Sequence, residues 1–329
     1  MTTRRDVLVV LAAGALTVPY PAPAQQPPPK IPRVGYLFSF TRAEGQHLWE
    51  ACRQGLRELG YREDRNIKLE PRWADGNYDR LKKLTAELVQ LKVDVLVVAA
   101  TPGSVAAKAA TKTIPIVIVA VSDPVRIGLV ANIVRPGGNI TGLSLLTPEL
   151  SGKRLELLAS VAGVIPRVGA LLNPRNASHA IFLEETRSAA QRLGVQLQPL
   201  EATNPEELDR AFAALIAARG TALIVFDDPV LWSYRPQIVA LAASRRVPVM
   251  YGYREYVDEG GLISYGPDRI DLYKRTAGYV DKILKGARPA ALPIEQPTKF
   301  ELVINLRTAK SLKLAVPQSL LISADKVIE

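Results

Sequence analysis

From residue 34 onward the chain alternates short, almost continuous apolar segments with longer segments whose apolar residues recur at helical spacing. Residues 93–100 are an example of the first kind, and residues 45–59, with Leu48 and Leu56 on one face, are an example of the second. Strands that are apolar on both faces are typical of parallel sheets covered by helices on either side. The alternation runs through two successive sets, and it predicts an α/β fold with two doubly wound parallel sheets.

Glycine, proline and small polar residues separate these segments, and they indicate where helices begin and end. The spacing predicts a helix over residues 105–111, after a loop at residues 101–104, and another helix over residues 234–246. The last helix of the second set is predicted over residues 271–284 and ends before Gly286.

Polar residues follow several predicted strands, at the edge where open α/β sheets bind ligands. Thr101, Pro102 and Ser104 lie at a predicted helix start, which favours an anion, and Asp227 or Asp228 offers a carboxylate for an ammonium group. We therefore predict a site for a small zwitterion whose side chain lies among aromatic rings. The predicted ligand-binding residues are Phe40, Thr101, Pro102, Ser104, Ser122, Asp123, Asn173, Asn176, Asp227, Asp228, Tyr251 and Tyr253.

A structural interpretation competes with this one at each loop. Serine, threonine, aspartate and asparagine are common helix caps, so Thr101 and Asp123, taken singly, are equally explained as caps. Five strand ends carry polar groups followed closely by proline or glycine, and this shared pattern favours a binding role for the set.

The residues that support catalysis or metal binding are sparse. Cys52 is the single cysteine, which excludes an internal disulfide and a cysteine cluster, and His47 and His179 are the two histidines, which excludes a histidine-rich metal site. The sequence also lacks Gly-x-Ser-x-Gly, a phosphate-binding P-loop and a glycine-rich dinucleotide motif after a strand. We expect no enzymatic activity, no metal and no cofactor.

The net charge of +10 comes from 42 lysines and arginines against 32 aspartates and glutamates. Such an excess is compatible with nucleic acid, an anionic membrane or simple solubility. The basic residues are scattered, and no helix-turn-helix or zinc-finger pattern is present. We expect a solvated basic surface and no nucleic-acid partner.

The N-terminus resembles an export signal. Arg4-Arg5 precedes an apolar run over residues 7–18, and Ala22-Pro23-Ala24 supplies the small residues of a cleavage site. The paired arginines resemble a twin-arginine signal, and a general secretory signal explains the segment equally well. We predict a signal peptide over residues 1–24, an extended leader over residues 25–32 and a periplasmic mature protein.

Several segments together resemble a known family, the substrate-binding proteins of ABC transporters, in the group that includes tryptophan- and tyrosine-binding members. The resemblance covers nearly the whole mature chain. The segments that carry it are Val34-Gly35-Tyr36-Leu37, Thr101-Pro102, residues 114–117, Ser122-Asp123-Pro124-Val125, residues 135–142, residues 297–305 and residues 323–328.

The resemblance implies a type I periplasmic-binding-protein fold, with two lobes, three crossover strands and a ligand enclosed in the cleft. It implies a monomeric receptor that takes a small polar molecule, most simply an amino acid, to an ABC permease in the inner membrane, and it leaves open whether that amino acid is aromatic, branched or neither. A ligand-sensing subunit of a periplasmic signalling system shares these features, and a periplasmic enzyme is the third alternative. The predicted lobes are residues 33–145 with 268–298 and residues 146–267 with 299–329.

One departure from the family pattern bears on the ligand. After the first strand this chain has Phe38-Ser39-Phe40, where relatives carry small polar residues. Aromatic rings at this position either narrow the pocket or stack on an aromatic ligand.

Overall fold

The computed structural model describes residues 30–145 and 147–329, together with the side chains of all of these except residues 147–149. The predicted signal peptide and residues 25–29 of the predicted leader lie outside the described residues. The strands are β1 (Arg33–Phe38), β2 (Lys68–Trp73), β3 (Val95–Ala99), β4 (Ile116–Val121), β5 (Ile140–Ser144), β6 (Arg167–Leu172), β7 (Gln196–Glu201), β8 (Ala222–Val225), β9 (Val249–Tyr251), β10 (Ile263–Pro267), β11 (Phe300–Asn305) and β12 (Lys326–Ile328).

Helices connect nearly all of these strands, as the alternation of segments predicts. They are α1 (Arg42–Glu58), α2 (Tyr78–Gln90), α3 (Ala100–Ala110), α4 (Thr147–Ala162), α5 (His179–Arg192), α6 (Pro205–Ala217), α7 (Pro229–Ser233), α8 (Arg235–Ser244), α9 (Arg254–Asp258), α10 (Arg269–Leu284), α11 (Leu306–Ser311) and α12 (Gln318–Ile322).

The first sheet has the strand order β2-β1-β3-β4-β5, and all its pairs are parallel. Successive residues of its strands face opposite sides. Val97 packs into the core formed with α1 and α10, whereas Val98 packs into a separate core formed with α2 and α3. Helices on both faces bury β3, β4 and β5 completely, which explains the continuous apolar sequence of β3 and β4, whereas the edge strand β2 is only half-buried.

The second sheet has the order β12-β11-β10-β9-β8-β6-β7. Its faces are also covered separately, because Ala170 of β6 packs with α4 and α5 while Leu171 packs with α6 and α8. The prediction of two doubly wound parallel-sheet lobes is thereby confirmed. One strand departs from it, since β11 runs antiparallel to β10.

The chain passes between the two sheets three times. It leaves the first sheet after β5 for α4, returns after β10 through α10, which packs on α1, β4 and β5, and crosses again to β11 of the second sheet. Between the sheets lies a cleft that is lined by residues at or after the carboxyl ends of β3, β4, β6 and β8. The residue bounds assigned to the lobes from the sequence stay a prediction.

Two predicted helix boundaries are wrong. Helix α3 begins at Ala100 and includes residues 101–104, which the sequence assigns to a loop. Pro102 is tolerated there because the amides of the first helical turn have no partner within the helix. The helix predicted over residues 234–246 ends at Ser244, and a separate short helix, α7, precedes it.

Of the helices within the described residues, none combines the length and apolar character needed to cross a membrane.

Candidate functional site

A small cavity lies in the cleft between the two sheets, with a volume of ≈ 20 Å³. Both sheets contribute to its wall, as do the loops that follow their strands. A volume of this size holds about one water molecule, so the lobes are closed around it. Seven predicted ligand-binding residues line the cavity: Phe40, Thr101, Ser122, Asn176, Asp227, Asp228 and Tyr253.

Backbone geometry at two strand ends shapes this wall. Ala100, directly after β3, and Ala120, near the end of β4, have φ angles of 64° and 57°, and both line the cavity. Positive φ is costly for alanine and tends to occur at functional sites. The register of β4 against β5 shifts between Ile118 and Val121, and the shift brings Ser122 to the cavity.

Three predicted residues on the first lobe lie elsewhere. Pro102 lines a separate groove of ≈ 440 Å³ between α2 and α3. The hydroxyl of Ser104 donates to the carbonyl of Ala100, 2.9 Å away, inside its own helix. The Asp123 carboxylate accepts from the backbone amides of Val125 and Arg126, so it stabilises its own turn, as the structural interpretation predicts.

Thr101 behaves differently from Asp123. It is the second residue of α3, and the residue before that helix, Ala99, makes no side-chain cap. The hydroxyl of Thr101 is therefore not the cap of its helix, and the residue is buried at the cavity wall.

The remaining two predicted residues, Asn173 and Tyr251, pack next to residues of the site but do not line the cavity. The amide of Asn173 donates to Oδ1 of Asp228 at 3.1 Å, and its own oxygen accepts from the backbone of Arg175. Tyr251 is fully buried in the core and stacks on Tyr256, with ring centroids 4.5 Å apart. Neither residue lines the cavity, and a binding role for them stays a prediction.

The hydrogen-bond donors to the carboxylate of Asp228 are all neutral groups. Its Oδ1 caps α7 by accepting from the amides of Val230 and Leu231, and its Oδ2 accepts from Asn176 at 2.9 Å and from the Tyr78 hydroxyl at 2.5 Å. Among the described residues no lysine, arginine or histidine forms an ion pair with it. Asp228 is therefore the carboxylate of this wall that has neutral hydrogen-bond donors on both oxygens and no cationic partner among the described residues.

Asp227 is already neutralised. Its Oδ2 lies 3.0 Å from Nη2 of Arg154, and both side chains are almost completely buried. Nε of Arg154 donates in turn to the carbonyl of Tyr265 at 2.7 Å. Gly252 makes this packing possible, since a Cβ there would lie 1.7 Å from Oδ1 of Asp227. The pair and the bond to Tyr265 hold α4 against the loop after β8 and against β10.

Aromatic rings form the rest of the wall. Phe40 lies edge-on to Trp232 with ring centroids 4.9 Å apart, and Tyr253 and Tyr273 complete the lining. The contact between Phe40 and Trp232 narrows the cavity, which is one of the two outcomes expected of Phe40. Stacking of Phe40 on an aromatic ligand stays a prediction.

Arg269, the first residue of α10, lies among these rings. Its guanidinium carbon is 4.3 Å from the ring centroids of both Trp232 and Tyr253, and its Nη1 lies 3.2 Å from Oε1 of Glu255. Sequence reasoning missed Arg269, Trp232, Tyr78 and Arg154. Nothing in the local sequence distinguishes them from surface arginines or core aromatic residues, because their roles depend on partners far away in the chain.

Several polar contacts bridge the cleft at its rim. Asp79 of α2 pairs with Arg175 at 2.6 Å, and Glu44 of α1 accepts from the Ser233 hydroxyl at 3.0 Å. His47 of α1 lies 3.2 Å from Glu255 of α9. The pair between Asp79 and Arg175 is exposed and therefore individually weak, so it is compatible with a cleft that opens and closes.

The chain is similar to known proteins in sequence and in fold. The family model for ABC transporter substrate binding proteins matches residues 46–328. A curated relative, a tyrosine-binding protein of Clostridioides difficile, is 26% identical over 260 residues, which cover 79% of this chain and 74% of the relative.

Two solved structures are similar throughout. A conserved domain protein from Vibrio cholerae has a TM-score of 0.86 at 29% identity, and the match covers 91% of this chain and 100% of that one. An ABC domain from Streptococcus pneumoniae in complex with L-Trp has a TM-score of 0.84 at 26% identity, with the same coverage of 91% and 100%.

Proposed function

This chain belongs to the family of ABC transporter substrate-binding proteins, and we propose that it encloses an amino acid between its lobes and delivers it to an ABC permease. Members of this family are extracytoplasmic receptors that bind their ligands without transforming them. The receptor function follows from membership of the family. The amino-acid ligand and the permease are our proposal.

The observation that carries the amino-acid ligand is the chemistry of the cavity wall. The second lobe contributes Asp228, whose carboxylate lacks a cationic partner among the described residues, and the first lobe contributes the hydroxyls of Thr101 and Ser122. In the proposed complex the ammonium group of the ligand lies at Asp228 and the hydroxyls donate hydrogen bonds to its carboxylate. A zwitterion that contacts both lobes stabilises the closed form over the open one.

An aromatic side chain suits the remaining wall best. Phe40, Trp232, Tyr253 and Tyr273 surround the cavity with rings, which pack well on another ring. The names of two relatives support the same choice, because one is a tyrosine-binding protein and another is a complex with L-Trp. The cavity of ≈ 20 Å³ is too small for either amino acid, so binding requires the lobes to separate and these rings to move.

The mechanism we propose is hinge closure. The three passages between the sheets act as the hinge, the open cleft admits the ligand, and the closed form is recognised by the permease. Export to the periplasm, through a signal over residues 1–24, and a monomeric state complete the proposal.

A thermal-shift screen against the twenty amino acids tests the ligand class. A ligand that binds only the folded state raises the melting temperature in proportion to the logarithm of its concentration. We expect stabilisation by tyrosine, tryptophan or phenylalanine and none by tryptamine or indole-3-propionate, which lack the carboxylate and the ammonium group respectively. Equal stabilisation by those two analogues, or none by any amino acid, would contradict the proposal. Small-angle scattering of the stabilised complex should show a smaller radius of gyration than that of the free protein.

A further inference from the structure

A single cation lines the cavity within the part of the chain that the structure describes, and it is Arg269. Its side chain is 7% exposed, and its Nε is buried without a hydrogen-bond partner among the described residues. A buried charged donor that is left unpaired is costly, because it has given up water and gained nothing in return. Such a group at a cavity wall points to a ligand that satisfies it.

The surroundings of Arg269 orient its guanidinium group. Trp232 and Tyr253 each have a ring centroid 4.3 Å from the guanidinium carbon, and Glu255 accepts from Nη1. The two rings stack on the guanidinium group and the ion pair with Glu255 uses Nη1. Nε therefore remains available to donate a hydrogen bond to an acceptor. Arginine retains its charge in such an environment, where a lysine side chain would not stack in the same way.

Arg269 also lines two spaces. With Tyr253, it lines both the small cavity and a neighbouring groove of ≈ 490 Å³ that reaches His47 and Glu301. Because Arg269 lines the cavity, an anionic group of a ligand enclosed there would have this cation in its wall. Asp228 lies on the same cavity wall and contributes the opposite charge.

We propose that Arg269 is the specificity-determining residue that neutralises the ligand's carboxylate, and that it thereby makes the receptor select free amino acids over their amides and esters. This inference rests on the proposed function and deepens it. The hydroxyls of Thr101 and Ser122 contribute neutral hydrogen bonds, whereas Arg269, which shares its charge with Glu255 through Nη1, supplies a charged donor at Nε. Charge-assisted hydrogen bonds are about twice as strong as neutral ones, so the arginine dominates the discrimination.

The test compares L-tryptophan and L-tyrosine with L-tryptophanamide and L-tyrosinamide by calorimetry. In the wild type we expect each acid to bind at least about thirtyfold more tightly than its amide, as for a buried charge pair. Arg269→Gln should weaken binding of the acids by a similar factor and leave the amides almost unchanged, so that the preference disappears. Arg269→Lys should recover part of it. Loss of packing alone would weaken acids and amides equally.

Arg235 offers a matched control. Its guanidinium carbon is 5.0 Å from the ring centroid of the same Trp232, but it does not line the cavity. Arg235→Gln should retain the preference for the acid. If Arg269→Gln retains it and Thr101→Val abolishes it, the carboxylate lies at the start of α3 and the inference is overturned while the proposed function stands. If the wild type binds neither amino acid at millimolar concentration, both fail together.

Discussion

The hydroxyl of Tyr78, at the start of α2, donates a 2.5 Å hydrogen bond to Oδ2 of Asp228, which precedes α7. This bond joins the two lobes at the cavity itself, and its acceptor is the carboxylate proposed for the ligand's ammonium group. A contact of this kind couples closure to binding, because a ligand at Asp228 and the Tyr78 hydroxyl both depend on the closed arrangement.

Tyr78→Phe should weaken ligand binding without destabilising either lobe. A hydrogen bond to a charged group contributes about 1.5–3 kcal/mol, and here it is made only when the cleft is closed. We expect a fall in amino-acid affinity of roughly tenfold or more and a larger radius of gyration without ligand. Tyr61→Phe is the matched control, since Tyr61 donates to Asp281 at 3.0 Å within the first lobe. Equal effects of the two variants would argue against the coupling.

Asp227→Asn and Asp228→Asn should separate a structural role from a binding role. Asp227→Asn leaves Arg154 buried and unpaired, so we expect a loss of about 3–5 kcal/mol in the free energy of unfolding. Asp228→Asn removes the charge that we propose for the ligand's ammonium group and should reduce the binding free energy by about 2–5 kcal/mol. Urea denaturation measures the first effect and calorimetry the second. Normal affinity of Asp228→Asn would move the ammonium site to another residue.

Gly252→Ala should be strongly destabilising. The new Cβ would lie 1.7 Å from Oδ1 of Asp227 and 2.7 Å from Nη2 of Arg154, so the buried pair has to break or shift. We expect a loss of about 3 kcal/mol or more in urea denaturation. Gly278→Ala, in α10, is the control, because no atom lies within 4 Å of its Cβ. It should be stabilising by about 0.5–1 kcal/mol, the gain of alanine over glycine in a helix. A neutral Gly252→Ala would show that the loop after β9 adapts.

Glu255 should make the stability of the protein depend on pH in the acid range. Burial raises its pKa, but the charge of Arg269 and the hydrogen bond with His47 outweigh burial and lower the pKa from 4.5 to about 2. A lowered carboxyl pKa contributes stability above pH 4.5 that is lost as the pH falls toward 2. A shift of this size corresponds to roughly 3 kcal/mol. Unfolding by urea should depend more steeply on pH in the wild type than in Glu255→Gln across this range, and equal slopes would refute the assignment.

Local patterning predicts the strands well. The apolar segment over residues 93–100, for example, contains β3. The prediction succeeds because parallel strands covered on two faces must be apolar throughout. The start of α3 was not predicted because proline is common both in loops and in the first turn of a helix, so Pro102 does not distinguish the two. The antiparallel direction of β11 has no local signal, since it follows from how the chain crosses between the sheets.

Local sequence patterns predict only part of the candidate site. Strand-end loops are local features, and seven of the twelve residues chosen from them line the cavity. Asp227 and Asp228 are adjacent in sequence with the same chemistry, yet one is neutralised by Arg154, 73 positions away, and the other faces the cavity without a cation.

The alternation of strands and helices, the α/β class and the sheet edge that carries the candidate site were determined by the sequence alone, because apolar periodicity and turn residues act over a few neighbouring positions. Which carboxylate remains uncompensated, which arginine lies among the aromatic rings and how closely Phe40 meets Trp232 were decided only by the tertiary structure. Charge compensation and ring packing depend on groups that the fold brings together from both lobes. The number of residues between two such groups in the sequence does not determine the distance between them in space.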